Sequence, residues 1–293
     1  MSLSFLNNRV LGINSRNFDY IFQYNSRKYY KSVDEKLQTK LYAKEVSIPV
    51  PETYAVIELW SEISSITEDL KKYDSFVIKP NRGAAGRGVF VVKEKLEDSW
   101  ILADGKSVSS EDVHYHISSI LSGLYSLSEL PDKAIVEQRI IPHPFFNEIT
   151  WEGTPDIRII LFQAVPVMAM LRLPTKKSGG RANLHQGAVG VGVDIDSGKT
   201  NSAVIKNYHV EVHPDTNAKL IGLKIPSWKK IFEDARKLAR VIPLKYIGID
   251  FMLDFEHGHL VVEANARPGL NIQLANNLGL RTKLEAIRNQ RME

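Results

Sequence analysis

The segment at 77–92, VIKPNRGAAGRGVFVV, constrains this chain more than any other stretch. Gly83, Gly86 and Gly88 separate two runs rich in β-branched and aromatic residues, so the pattern reads strand, glycine loop, strand. A P-loop would end in Gly-Lys-Ser/Thr and open a helix, and the dinucleotide fingerprint would carry another glycine before a helix. GRGVFV does neither and runs into a strand. A glycine-rich hairpin of this kind can lie over a nucleotide as a flap, its amides facing phosphate oxygens, as in protein kinases. Lys79 sits on the incoming strand just before Pro80. Side chains alternate along a strand, so Lys79 shares a face with Val77, and a partly buried lysine needs an anionic partner.

The second informative stretch is GIDFMLDFEHGHLVVEANARPG at 248–269. His257-Gly258 reads as a two-residue hairpin turn, which pairs Glu256 with His259, Met252 with Glu263 and Asp250 with Asn265. Phe251, Leu253, Phe255, Leu260, Val262 and Ala264 then share an apolar face, and Asp250, Asp254, Glu263 and Asn265 share the other. Carboxylates this close destabilise one another unless a positive group sits among them. Two carboxylates and an amide, Asp250, Glu263 and Asn265, are hard oxygen donors that suit Mg2+, a metal that also takes phosphate oxygens and water. The alternative is a solvated outer face on an edge hairpin, and a one-residue slip of register would dismantle the cluster.

Elsewhere, Ser32 and Glu35 fit a capping box opening a helix to about residue 46, with Leu37 and Leu41 on one face and Lys36 and Lys40 on another. Pro49 and Pro51 end it. Amphipathic spacing predicts a helix over 58–72, and Ser109 caps one running to about 121. Strands are expected at 133–141, 156–162 and 167–173, followed by a mobile glycine-rich loop at 174–192. Ser227 caps a helix that buries Ile231, Ala235, Leu238 and Ile242. The first thirty or so residues read as an irregular arm whose Phe5, Phe18, Tyr20, Phe22, Tyr29 and Tyr30 can pack on the main domain or on a second subunit, so an oligomer is open. No internal repeat is present, and the class is α+β.

Composition narrows the function. The 293 residues are 43% hydrophobic and 25% charged, enough for one large domain or two modest lobes. The absence of cysteine excludes disulfides, thiolate metal sites and a cysteine nucleophile, and suits a reducing, cytoplasmic setting. The opening MSLSFLNNRVLG has no long apolar core and does not read as a secretory signal. The most apolar stretch, 157–173, is interrupted by Arg158, Gln163, Pro166 and Arg172, so no membrane span is expected. The net charge of +4 suits a polyanionic cofactor as well as nucleic acid, and the absence of any RNA-binding signature or C2H2 spacing argues against nucleic acid.

The two motifs together resemble the ATP-grasp superfamily, in particular its α-L-glutamate ligase-like branch, related to enzymes that add glutamate to ribosomal protein tails. The resemblance runs from about Ser32 to the end and includes DEKLQTK at 34–40, IPVPET at 48–53, VEQRI at 136–140, PDIRIILF at 155–162, MLRLP at 170–174 and ANLHQGAVGVG at 182–192, in family order. It implies an ATP-grasp fold of two α/β lobes with nucleotide bound between antiparallel sheets. An arm would occupy 1–31 and the ATP-grasp domain 32–293, with lobes at about 32–140 and 141–293.

By this resemblance Lys36 and Lys79 contact the ATP phosphates under a flap containing Gly83, Gly86 and Gly88. Glu137, Gln138 and Ile140 form the hinge strand that reads adenine. Asp250, Glu263 and Asn265 hold Mg2+, or Mn2+, and Arg172 steadies the transferred phosphoryl group or oxyanion. Arg158, Asn183 and His185 are placed on the acceptor or phosphate side, although Arg158 reads equally as an ion-pair partner of Asp156 or another carboxylate, and His185 as a loop histidine without a chemical task. Arg267, in NARPG, stands where related ligases often have a small residue, and either reads a substrate carboxylate or caps the hairpin. Glu148 is the nearest acidic candidate for the ribose.

The implied reaction is ATP-dependent carboxylate–amine ligation through an acyl phosphate, with glutamate or a similar amino acid as one partner. Its rivals are a small-molecule kinase and a non-catalytic ATP-binding module. From sequence, Asp250→Asn or Glu263→Gln is expected to abolish turnover and leave the fold intact.

Overall fold

The computed structural model describes residues 9–83, 86–97, 99–126 and 130–290, so Phe5 of the aromatic arm lies outside the described residues. The chain divides into two compact units: Glu35–Leu37 with Pro51–Ile140, and the rest of the described chain.

The smaller unit is built on a six-stranded antiparallel sheet. Its strands are β1 (Thr53–Ile57), β2 (Phe76–Pro80), β3 (Phe90–Lys95), β4 (Trp100–Leu102), β5 (Ser107–Val108) and β6 (Ala134–Glu137), in the order β1-β6-β2-β3-β4-β5. Helices Ile63–Leu70 and Ser110–Leu121 cover it, burying Ile66, Leu70, Val113 and Ile117 against Phe76, Ile78 and Trp100. Ser109 caps the second helix as its sequence predicts, in a reciprocal box with Asp112. The helix expected over 58–72 is shorter because the Glu62 carboxylate accepts from the amides of Glu58 and Leu59, both at 2.8 Å, and so fixes the first turn there. Strand β6 is also shorter than expected, since Gln138 leaves the sheet to bond Glu52, donating from its amide at 2.8 Å.

The Ser32–Glu35 capping box does not form. Ser32 lies inside a short helix, Lys31–Asp34, and the Glu35 carboxylate is taken by Arg82 at 2.6 Å. Helix Lys36–Glu45 is started instead by Asn81, whose backbone oxygen and Oδ1 accept from the amides of Lys36 and Leu37 at 3.1 and 3.0 Å. The expected Leu37–Leu41 face is also not the buried one. Leu41 is 58% exposed, and Thr39, Lys40 and Ala43 are buried, where small groups and an aliphatic stem allow closer packing.

The larger unit has a seven-stranded antiparallel sheet. Its strands are β7 (Asp156–Phe162), β8 (Val165–Leu173), β9 (Val189–Val193), β10 (Thr200–Ile205), β11 (Tyr208–His209), β12 (Tyr246–Asp254) and β13 (Gly258–Asn265), in the order β11-β10-β9-β8-β7-β12-β13. Helix Trp228–Val241 covers one face, with Ile231, Ala235 and Leu238 packed on Ile157, Ile159, Leu171 and Phe251. The opposite face carries Ile160, Phe162, Met168, Met170 and Tyr246 beneath Leu11, Tyr20 and Ile272. Burial on both faces is why β7 and β8 read as nearly continuous apolar runs. The arm is therefore not irregular: residues 13–24 are helical, and Tyr20 is buried while Phe18 and Phe22 stay exposed. Asn25 fixes the arm to the start of β12, its Oδ1 accepting from the amides of Lys245 and Tyr246 at 2.9 and 3.0 Å.

Three further expectations change here. The loop expected at 174–192 contains β9, in which Val189, Val191 and Val193 are buried. Gly192 sits where a Cβ would run into the Ala275 carbonyl oxygen, so this glycine serves close packing within the strand. Ser227 stands before its helix in a left-handed conformation (φ 54°) and makes no side-chain cap. The final hairpin turns through Phe255, Glu256 and His257, pairs Asp254 with Gly258, and carries a bulge next to Asp250. Phe255 is consequently exposed, and Val261 takes the inward place expected of Val262. The bulge shifts the pairing so that Asp250 lies directly opposite Glu263.

Candidate active site

The inner face of the larger sheet changes character along its length. Ile160, Phe162 and Met168 make one end apolar. At the other end the same alternation presents Asp156 and Arg158 on β7, Arg172 on β8 and Asp250 on β12. Asp156 is paired in register with Arg172, and Arg158 with Asp250. Arg158 grips Asp250 with two bonds, Nε to Oδ1 at 2.7 Å and Nη2 to Oδ2 at 2.5 Å. Arg172 donates to both carboxylates, through Nε and Nη2 to Asp156 at 2.5 and 2.6 Å, and through Nη2 to Asp250 at 2.8 Å. Asn265 donates its amide to Asp250 Oδ2 at 3.4 Å. Forked guanidinium donors suit this planar, two-oxygen recognition.

Burial governs the electrostatics. Asp250 is 1% exposed, which alone would raise its pKa, but the guanidiniums of Arg158 and Arg172 outweigh that and hold it below the usual carboxylate value. Asp156 has the opposite balance: burial pushes it up to about 6, with Arg172 opposing and Asp250 adding to the rise. Burial pulls the Arg172 pKa down, yet its two carboxylate partners raise it overall. Two arginines and two aspartates cancel in charge, so Glu263, half-buried beside them, gives the set its net negative sign.

Among the described residues no three His, Asp or Glu side chains gather as a metal cage. The Asp250, Glu263 and Asn265 set is a different kind of donor group, with two carboxylates and an amide. Asp250 is engaged by both arginines, and Asn265 turns its nitrogen toward Asp250, which leaves its oxygen as an acceptor. Glu263 and the Asn265 oxygen are hard donors that fit Mg2+ or Mn2+, provided phosphate oxygens and water complete the shell.

In the smaller unit Lys79 is 7% exposed and forms a salt bridge with Glu137, which is 4% exposed. Lys36 donates from Nζ to the Gly83 carbonyl at 2.6 Å, so it touches the glycine hairpin itself. Gly86 and Gly88 adopt φ of 72° and 70°, and the Gly88 carbonyl is bound by His116 Nε2 at 3.0 Å. Gln138 is tied to Glu52, which donates from its amide to Oε1 at 3.1 Å, and Ile140 is buried.

The remaining predicted residues make contacts of their own. Asn183 accepts from the His185 amide at 3.0 Å and so caps the short turn Leu184–Gln186. His185 is exposed, as is Glu148. Arg267 lays its guanidinium over the Tyr30 ring, 5.0 Å from the centroid. Asp156 is the group sequence reasoning passed over as a site residue. Its signal was its place at the mouth of the β7–β8 hairpin, opposite Arg172.

Comparison with known proteins adds a family. A family model described as sugar-transfer associated ATP-grasp matches residues 15–289. No curated protein matches the sequence. Among solved structures the chain is similar to the ATP-grasp ligase PsnB complexed with a minimal precursor, at 12% identity and a TM-score of 0.50, covering 91% of this chain and 64% of that one. It is also similar to D-alanyl-alanine synthetase A from Vibrio cholerae O1 biovar eltor, at 13% identity and a TM-score of 0.52, covering 89% of this chain and 66% of that one. The chain thus spans just under two thirds of the length of these proteins, and the likeness is one of fold.

Proposed function

Because the chain belongs to the sugar-transfer associated ATP-grasp family and has the ATP-grasp fold, we propose that it is an ATP-dependent ligase joining a carboxylate to an amine. One observation carries the reading: a largely buried Arg158–Asp250–Arg172–Asp156 network beside Glu263 and Asn265. Buried, fixed guanidiniums are what a reaction with mobile negative charge needs.

In the reaction a carboxylate oxygen attacks the γ-phosphorus of ATP, the bond to ADP breaks, and an acyl phosphate forms. An amine nitrogen then attacks the carbonyl carbon, and phosphate and a proton leave as the amide forms. Lys79 and Lys36 hold phosphate oxygens under the glycine hairpin, and backbone groups around Glu137, Gln138 and Ile140 take the adenine. Glu263 and Asn265, with Asp250 fixed between two arginines, would hold Mg2+ or Mn2+, which would supply neutralisation of phosphate charge. Arg172, anchored by Asp156, faces the developing oxyanion and Arg158 supports it; Asn183, His185 and Arg267 serve the acceptor side. The family's description suggests a sugar-linked acid or amine as one substrate; our reading takes glutamate or a related amino acid as the other and the cytoplasm as the setting.

Hydroxylamine tests the intermediate. With Mg-ATP and the correct acid it should intercept the acyl phosphate as a hydroxamate and release inorganic phosphate. A phosphorylated acceptor without free phosphate would establish a kinase instead and overturn the ligase.

A further inference from the structure

The opposite end of the β7–β8 hairpin carries a second cluster that the reaction does not use. A hollow of about 220 Å³ is lined by Gln163, Ala164, Val165, Arg236, Arg240 and Lys245, among others. The six steps of β7 from Asp156 to Phe162, at ~3.4 Å each, separate it from the Asp156 end by roughly 20 Å. Arg236 and Arg240 stand one helical turn apart on Trp228–Val241, so they project from the same face. Among the described residues neither guanidinium, nor the Lys245 ammonium, has an ion-pair or hydrogen-bond partner. Glu233 lines an adjoining 140 Å³ hollow with Arg236, Lys237 and Arg240 but bonds none of them, while Lys237 is taken by Asp234 at 3.2 Å.

The turn itself is unusual. Gln163 and Ala164 form a two-residue hairpin loop with φ of 51° and 62°. Loops of this kind favour Asn-Gly, and two successive left-handed L residues are strained. The turn is held by Gln163, which donates its amide to the Lys245 carbonyl at 2.6 Å. Gln163 Oε1 is buried and accepts no hydrogen bond. A buried acceptor without a donor is costly, as are like charges held one turn apart.

We propose that this hollow is a second binding site, for a phosphate monoester that also carries hydroxyl groups, such as a sugar phosphate. The phosphate neutralises Arg236, Arg240 and Lys245, and a hydroxyl donates to Gln163 Oε1 once that side chain turns toward the hollow. At ~30 Å³ per water the hollow has room for about seven waters, which suits a small polar ligand rather than a nucleotide. The site is independent of the proposed ligase chemistry, since none of its residues belongs to the Arg158–Asp250–Arg172 network.

Calorimetric titration of the full chain with glucose 1-phosphate, inorganic phosphate and glucose tests it, with vesicles of phosphatidylglycerol as a further arm. The expected result is saturable binding of glucose 1-phosphate, weaker binding of phosphate and none of glucose. The double variant Arg236→Gln/Arg240→Gln should weaken glucose 1-phosphate at least tenfold, with an unchanged melting temperature, and Glu263→Gln should leave its binding intact. Unchanged affinity in the double variant, no binding by the parent chain, or binding to vesicles alone would each overturn the proposal.

Discussion

Replacing Asp250 by asparagine separates a structural task from a chemical one. Asp250 accepts three guanidinium bonds of 2.5 to 2.8 Å while only 1% exposed. Asparagine keeps the Oδ1 acceptor but puts an amide nitrogen where Oδ2 was, facing Arg158 Nη2 and Arg172 Nη2. Two charge-assisted bonds are lost, at about 1.5–3 kcal/mol each, and two buried cations keep only Asp156 between them. The loss should be about 3–5 kcal/mol, the usual cost of removing one partner of a buried pair. At about 2–4 °C per kcal/mol for a unit of this size, the melting temperature should fall by roughly 10 °C. Glu263→Gln is the control. Glu263 is half-buried and takes no part in these ion pairs, so its loss should move stability by less than about 1 kcal/mol. Sequence alone suggested that both variants keep the fold; the structure divides them. Calorimetric melting of both variants decides, and an unchanged melting temperature for Asp250→Asn would refute the reasoning.

Other outcomes follow from the same contacts. Asp156 ionises only above about pH 6, so turnover should rise through that pH as Arg172 gains its full counter-charge, and Asp156→Asn should flatten this limb in a kcat–pH profile. Because its folded pKa is raised, Asp156 contributes stability below the ordinary carboxylate pKa that is lost as pH rises through about 6; Asp250, depressed, does the reverse and loses its contribution as pH falls. Lys79→Met removes the buried Lys79–Glu137 ion pair and should destabilise the smaller unit by about 1–3 kcal/mol, whereas Lys79→Met/Glu137→Leu should recover much of that in a denaturant melt without restoring ATP binding. Gly192→Ala forces a methyl against the Ala275 carbonyl and should cost about 1–3 kcal/mol in the same assay.

The parts of the fold legible in sequence were those set by local pattern. Ser109 with Asp112, the strand pair around the glycine loop and the amphipathic spacing of Trp228–Val241 all depend on near neighbours. What was missed came from distant partners. Asn81 starts the helix at Lys36 from about 45 residues away, a contact no local rule contains. β9 looked like a loop because its glycines serve the packing of Ala275 and Asn276, which only the tertiary structure supplies. In the site, alternation alone brought Asp250, Glu263 and Asn265 to one region, although the turn was misplaced and a bulge compensated. The pairing of Arg172 with Asp156 needed the β7–β8 register.

The central claim is ligation driven by ATP, and 31P NMR of the protein with Mg-ATP, amino acids and sugar acids tests it most directly. The account predicts ADP and inorganic phosphate in equal amounts only when both an acid and an amine are present. ATP that stays intact in that mixture and in cell extract, or a phosphoryl group found on an acceptor with no free phosphate, would contradict it.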